Sequence, residues 1–201
     1  MIHTAKLRYP DTLRIGFPDG AVEYGCNQER YTEFWKRMAG CGPCVAATIF
    51  GYLSWRGETR GSGDWLALMD DVWLDVTPTM RGIPSNALLT ERIEKYIARK
   101  GLPLGVAALD IPKEVSERPP LEDFLGFITR SLENDVPVAF LTLDPGDVPT
   151  LDEWHWTIIA AIDADADTAV AVNYNCGEVV SADLRRWYGT TRLGGGVVTL
   201  Y

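Results

Sequence analysis

Cys41 stands in the stretch Gly40-Cys41-Gly42-Pro43-Cys44-Val45-Ala46-Ala47, a thiol at the entrance of an apolar run. Pro43 suits the first turn of a helix, where its missing N–H is no loss. Val45, Ile49, Tyr52 and Leu53 then recur at helical spacing. Free N–H groups and the dipole at a helix N-terminus favour thiolate over thiol, so a Cys41 pKa below the usual value of about 8.5 is expected. Two chemistries use such a thiol. Thiol–disulfide exchange needs a second cysteine, which Cys44 supplies. Acyl transfer needs instead a histidine as base and an Asn or Asp to orient it.

The chain has two histidines, His3 and His155. His3 falls in a terminus expected to be frayed, so a Cys/His pair forces His155. It opens an apolar run, Trp154 to Ile162, that reads as a strand. Alternation puts His155, Thr157, Ile159 and Ala161 on one face and Trp154, Trp156, Ile158 and Ala160 on the other. Thr168 to Asn173 follows the acidic turn Asp163-Ala164-Asp165-Ala166-Asp167 and completes a hairpin. Odd-to-odd pairing sets His155 opposite Asn173 or Asn175, depending on where the turn closes. Asn173 is taken as the amide that holds the ring. Gln28, the only glutamine, can donate to the oxyanion of a tetrahedral intermediate together with the Cys41 N–H.

The elements that must position these residues change character once along the chain. A hairpin-like turn at Phe17-Pro18-Asp19-Gly20 precedes a helical first half. Beside the Cys41 helix, Trp65, Leu68, Met69, Val72 and Trp73 form a helical face behind Ser62 as cap. Leu89, Ile93, Tyr96 and Ile97 form another, closed by Gly101. Leu121, Phe124, Leu125, Ile128 and Leu132 follow Pro119-Pro120. Strands then dominate: Val136 to Leu143, the hairpin, and Gly196 to Tyr201. Helices first and an antiparallel sheet later predict an α+β fold in a single domain, residues 1–201.

Composition sets the outer bounds. A chain of 201 residues, 46% hydrophobic and 23% charged, is long enough for one full core. A formal charge of −9 argues against nucleic acid or anionic membrane as partner, since both call for basic patches. The segment Met1 to Leu7 lacks the apolar core of a secretion signal, so a cytoplasmic location is expected. Four cysteines, Cys26, Cys41, Cys44 and Cys176, are too sparse for a disulfide scaffold. Without a second close Cys/His pair they give no zinc pattern, and no cofactor is expected. Cys26, Cys44 and Cys176 read most simply as small buried residues. The acidic turn lacks the glycine and distal glutamate of a calcium loop. Nothing in the sequence specifies an oligomeric state.

The order Gln28, Cys41, His155, Asn173 resembles the papain-like cysteine peptidases, in particular the bacteriocin-processing (double-glycine) peptidases and their stand-alone relatives. Gly40-Cys41-Gly42-Pro43 before Val45-Ala46-Ala47 is similar to the nucleophile segment of that branch. His155-Trp156-Thr157-Ile158-Ile159 and Asn173-Tyr174-Asn175-Cys176-Gly177 are similar to its histidine and acid segments, with Asn in place of Asp. The resemblance implies a papain-like fold, with the Cys helix in an N-terminal helical half packed on a C-terminal antiparallel sheet. It also implies a thiol hydrolase acting on a peptide or small amide. Gln28 precedes Cys41 by thirteen residues, longer than the interval in that family, which calls for an inserted helix; Tyr31 to Met38 is the candidate. No transporter or membrane region is attached, so cleavage of double-glycine leaders does not carry over.

Cys41-Gly42-Pro43-Cys44 is also the thioredoxin tetrad, and Arg81-Gly82-Ile83-Pro84-Ser85 resembles the proline segment that packs over it. That fold requires a buried strand before the tetrad and another after the proline. Tyr31 to Met38 is polar and helix-like, and Asn86 to Arg99 has helical periodicity, so the setting differs. A third class is a peptide-binding module on a papain-like scaffold without turnover, marked by an ordinary Cys41 pKa.

Overall fold

Chain breakers and caps set the helix ends. Ser85 Oγ accepts the Leu88 N–H at the start of one helix and Gly101 closes it at φ 62°, while Pro120 caps the next. The computed structural model describes residues 3–201; Met1 and Ile2 lie outside the described residues. Its α-helices are α1 (Phe34–Ala39), α2 (Cys41–Ser54), α3 (Ser62–Trp73), α4 (Asn86–Lys100), α5 (Leu121–Glu133) and α6 (Leu184–Thr190). Ser62, expected as a cap, is instead the first residue of α3, and Gly61 caps it.

The strands are β1 (His3–Lys6), β2 (Arg14–Gly16), β3 (Val22–Tyr24), β4 (Val106–Ile111), β5 (Val138–Thr142), β6 (His155–Ala164), β7 (Ala169–Asn175), β8 (Glu178–Asp183) and β9 (Gly195–Leu200). The main sheet runs β4-β9-β5-β6-β7-β8, with β1 joining β6 beyond the end of β5, and every pairing described is antiparallel. β2 and β3 make a separate hairpin around the Asp19-Gly20 turn, where Gly20 has φ 87°. The fold is therefore α+β, although the sheet draws β1 from the first residues and β4 from the middle of the chain. β1, β4, β8 and α6 are short or only partly apolar and leave weak periodic signals.

Helices cover both faces of the sheet. Residues Gly42 to Tyr52 of α2 are all buried, which marks it as the central helix. It packs against β5 and β6 on one face and against α3. On the opposite face Phe140 of β5 meets Phe124 of α5 and Trp187 of α6, with ring centroids 6.4 and 4.7 Å away. His3, expected to be frayed, is buried: its ring bonds Glu122 Oε2 at 2.9 Å and Thr129 Oγ1 at 3.3 Å on α5. Pairing of β1 with β6 holds it there. No helix among the described residues is long and apolar enough to cross a membrane.

Candidate functional site

Cys41 is the first residue of α2. Gly40, before it, has helical φ and ψ, so α1 runs almost directly into α2. The Cys44 N–H bonds Gly40 O at 2.9 Å, and Pro43 has no N–H, which leaves those of Cys41 and Gly42 beside the thiol. Two glycines allow this crowding. A Cβ on Gly40 would stand 3.0 Å from the Gln28 Cβ, and one on Gly42 would stand 2.7 Å from the Ile83 side chain.

Gln28, His155 and Cys41 all line one cavity of about 10 Å³, room for a single water. The thirteen-residue interval between Gln28 and Cys41 is taken up by a short turn at Gln28–Arg30 and by α1. Gly40 is thereby folded back against Gln28. The Gln28 side-chain oxygen is buried and has no hydrogen-bond partner among the described residues. Tyr24 bonds Gly177 O at 2.8 Å, which pins the segment carrying Gln28 beside the β7–β8 turn.

The residue that holds His155 is Asn175, not Asn173. Asn175 Oδ1 lies 2.9 Å from His155 Nε2, whereas Asn173 is fully buried and donates to Thr157 Oγ1 at 3.0 Å. Register decides this. Ile159 stands opposite Asn173, so continuing the pairing puts Asn175 opposite Thr157 and diagonal to His155. A β-bulge between Ile159 and Ala161 sets that parity.

Asp152, which no sequence pattern singles out, fixes the chemistry one bond further out. Its Oδ2 accepts the Asn175 Nδ2–H at 2.8 Å. A carboxylate only accepts, so the Asn175 amide must turn its oxygen to the ring. That oxygen in turn calls for a proton on Nε2 and leaves Nδ1 as the basic nitrogen of a neutral His155. Asn175→Ala is accordingly expected to lower kcat for amide hydrolysis by about 10- to 100-fold, the worth of one hydrogen bond to a charged group. Asn173→Ala is expected to leave kcat near wild type and to lower the unfolding free energy by about 1–3 kcal/mol, because Thr157 loses its partner inside the core. Urea unfolding alongside steady-state kinetics separates the two, and the opposite pattern would restore Asn173 as the orienting residue.

Electrostatics overturn the expected thiolate. Burial pushes the Cys41 thiol above its ordinary value, against the opposing pull of the N–H groups of Trp156, Gly42 and Cys41 itself. Burial also lowers His155, with Asp152 and Asn175 working against it. Both shifts favour uncharged partners, so the resting pair is thiol and imidazole. The helix terminus alone does not ionise Cys41, because desolvation outweighs it.

Next to Cys41 opens a second, larger cleft of about 280 Å³, walled by Trp35, Met38, Met80, Ile83, Leu141 and Trp154. Trp154 enters β6 with φ 53° and is exposed, while Trp156 is buried and donates to Ile83 O at 2.7 Å, tying the loop before α4 to the sheet. Cys44 is buried. The tetrad is entered from helix α1, and Pro84 leads into helix α4, so neither thioredoxin strand is present at those places. Among the described residues no three Cys, His, Asp or Glu side chains are grouped to hold a metal ion.

Fold and site together define an α+β protein with a half-buried cysteine, a histidine held by an amide, and an apolar cleft beside the sulfur. The chain matches no protein-family model, no curated protein and no solved structure.

Proposed function

We propose that the chain is a cysteine hydrolase of papain-like type that cleaves a peptide or amide bond through an acyl-enzyme. The observation that carries this reading is the convergence of Cys41, His155 and Gln28 on one cavity, with the His155 ring held at 2.9 Å by Asn175. His155 Nδ1 takes the proton of the neutral thiol as the sulfur attacks the carbonyl, and returns it to the leaving amine. The Cys41 N–H and the Gln28 amide stabilise the oxyanion. Asn175, itself held by Asp152, keeps the ring in its working tautomer. Water then hydrolyses the thioester by the same route. The apolar walls of the adjoining cleft suit a substrate with a large apolar group next to the scissile bond.

The test is labelling with a peptidyl acyloxymethyl ketone, an electrophile that alkylates activated thiols. One equivalent is expected on Cys41. Cys41→Ala and His155→Ala abolish it, and Cys44→Ala retains it. Equal loss in Cys44→Ala, with reduction of insulin disulfides by the wild type, would point to the oxidoreductase reading instead.

A further inference from the structure

All four cysteines of the chain line the same one-water cavity as His155. They come from three places: Cys26 before the Gln28 turn, Cys41 and Cys44 on α2, and Cys176 in the turn between β7 and β8. Cys26 and Cys44 are buried. Burial pushes Cys26 up to about 12 and raises Cys44 well above its ordinary value, so both are poor nucleophiles. Thr48 locks their backbones together, accepting from the Cys26 N–H at 2.9 Å and donating to Cys44 O at 2.8 Å.

Cys176 differs from these two. It occupies the first central position of a two-residue hairpin turn, with φ 46°, followed by Gly177 at φ 84°. Such turns favour Asn or Gly there, and a cysteine is held left-handed only under strain. The strained position sets its sulfur 3.6 Å from His155 Nε2. Burial raises this thiol too, to about 12, and the nearby Cys41 adds to the shift. The Nε2–H beside it, shared with Asn175, nevertheless faces the sulfur and favours negative charge building there, a contact that neither Cys26 nor Cys44 is shown to make. Amide hydrolysis has no use for a second thiol on the far side of the ring from the basic nitrogen.

We propose that Cys176 is a resolving cysteine, which converts a hydroperoxide-oxidised Cys41 into a reversible Cys41–Cys176 disulfide. In the first step the Cys41 thiol gives its proton to His155 and the sulfur attacks a peroxide oxygen. The O–O bond breaks, and the departing hydroxide leaves as water with that proton. Cys41 is now a sulfenic acid. In the second step the Cys176 sulfur attacks the Cys41 sulfur, and its thiol proton passes to the departing oxygen. The S–O bond breaks, and hydroxide again leaves as water with the Cys176 proton. Two thiols have lost two electrons and one hydrogen peroxide has become two waters. The disulfide occupies the nucleophile, so activity stops until a dithiol reduces it. The proposal rests on the thiol–imidazole pair of the proposed function but does not require that any amide be cut.

The experiment treats the full chain with two equivalents of hydrogen peroxide, counts thiols with a maleimide after denaturation, and maps the peptides without reduction. Wild type is expected to fall from four thiols to two, with a Cys41–Cys176 bond that dithiothreitol reverses. Cys44→Ala keeps the bond and falls from three thiols to one. Cys176→Ser forms no such bond and gains two oxygens at Cys41, the sulfinic acid that no resolving thiol has intercepted. A Cys41–Cys44 bond, or sulfinic acid on wild-type Cys41 to the same extent as in Cys176→Ser, would overturn the proposal. So would four thiols left intact. Should Cys176→Ser not fold, the wild-type map alone decides. A chain that forms the Cys41–Cys176 bond but takes no acyloxymethyl ketone at Cys41 refutes the hydrolase and leaves this inference standing, and the reverse result separates them the other way.

Discussion

His155→Ala lowers kcat/KM for amide hydrolysis by about 10²–10⁴-fold, the range for loss of a positioned general base. The size of the effect follows from the resting protonation state. With Cys41 raised and His155 lowered by burial, the sulfur is not pre-ionised, and attack depends on the ring taking the proton at that moment. The pH dependence has a definite sign. A depressed His155 stays neutral and competent below its ordinary value of 6.5. Activity is therefore held as pH falls through 6.5 and drops only further down, when the ring becomes imidazolium. His155→Ala loses that acid limb. Alkylation of Cys41 by iodoacetamide gives a second reading. With a thiol raised above 9.0, the rate climbs with pH through 9 instead of levelling near neutrality. A plateau at neutral pH would mean a pre-formed thiolate–imidazolium pair, and a His155→Ala loss under tenfold would remove the ring from the chemistry.

Gln28→Ala lowers kcat by about 10²–10³-fold with little change in KM, because its amide acts on charge that develops only in the transition state. The placement of this side chain in the same cavity as Cys41 motivates the prediction. Steady-state kinetics on a chromogenic amide decide it. A raised KM at unchanged kcat would make Gln28 a substrate contact instead of an oxyanion donor.

Local sequence accounts for much of the scaffold. Pro43, the apolar spacing from Val45 to Leu53 and the buried length of α2 make Cys41 the first residue of a central helix, a matter of nearest-neighbour sterics and burial. Gly101, Pro120 and the Asp19-Gly20 turn mark their element ends for similar reasons. The strands at β1, β4 and β8 were not legible, since short segments partly open to solvent carry little alternation and acquire their pairing from partners distant in the chain. His3 illustrates the same point: nothing near it in sequence calls for burial, and Glu122 and Thr129 supply the reason from α5.

The sequence by itself determined an α+β chain with a thiol at the head of a buried helix, a histidine opening a strand, and two candidate amides at alternate positions. Only the tertiary structure decided which amide meets the ring. Beyond the bulge Ala161 pairs with Val172, and before it Ile159 pairs with Asn173. That one extra residue sets odd against odd on the site side, and the register then puts Asn175 diagonal to the ring while Asn173, two residues further in on the same face, reaches only Thr157. Tertiary contact likewise decided the charge on Cys41, since desolvation depends on what packs around the sulfur and no local pattern records it. It also gathered four cysteines, scattered from Cys26 to Cys176, around a single water-sized space.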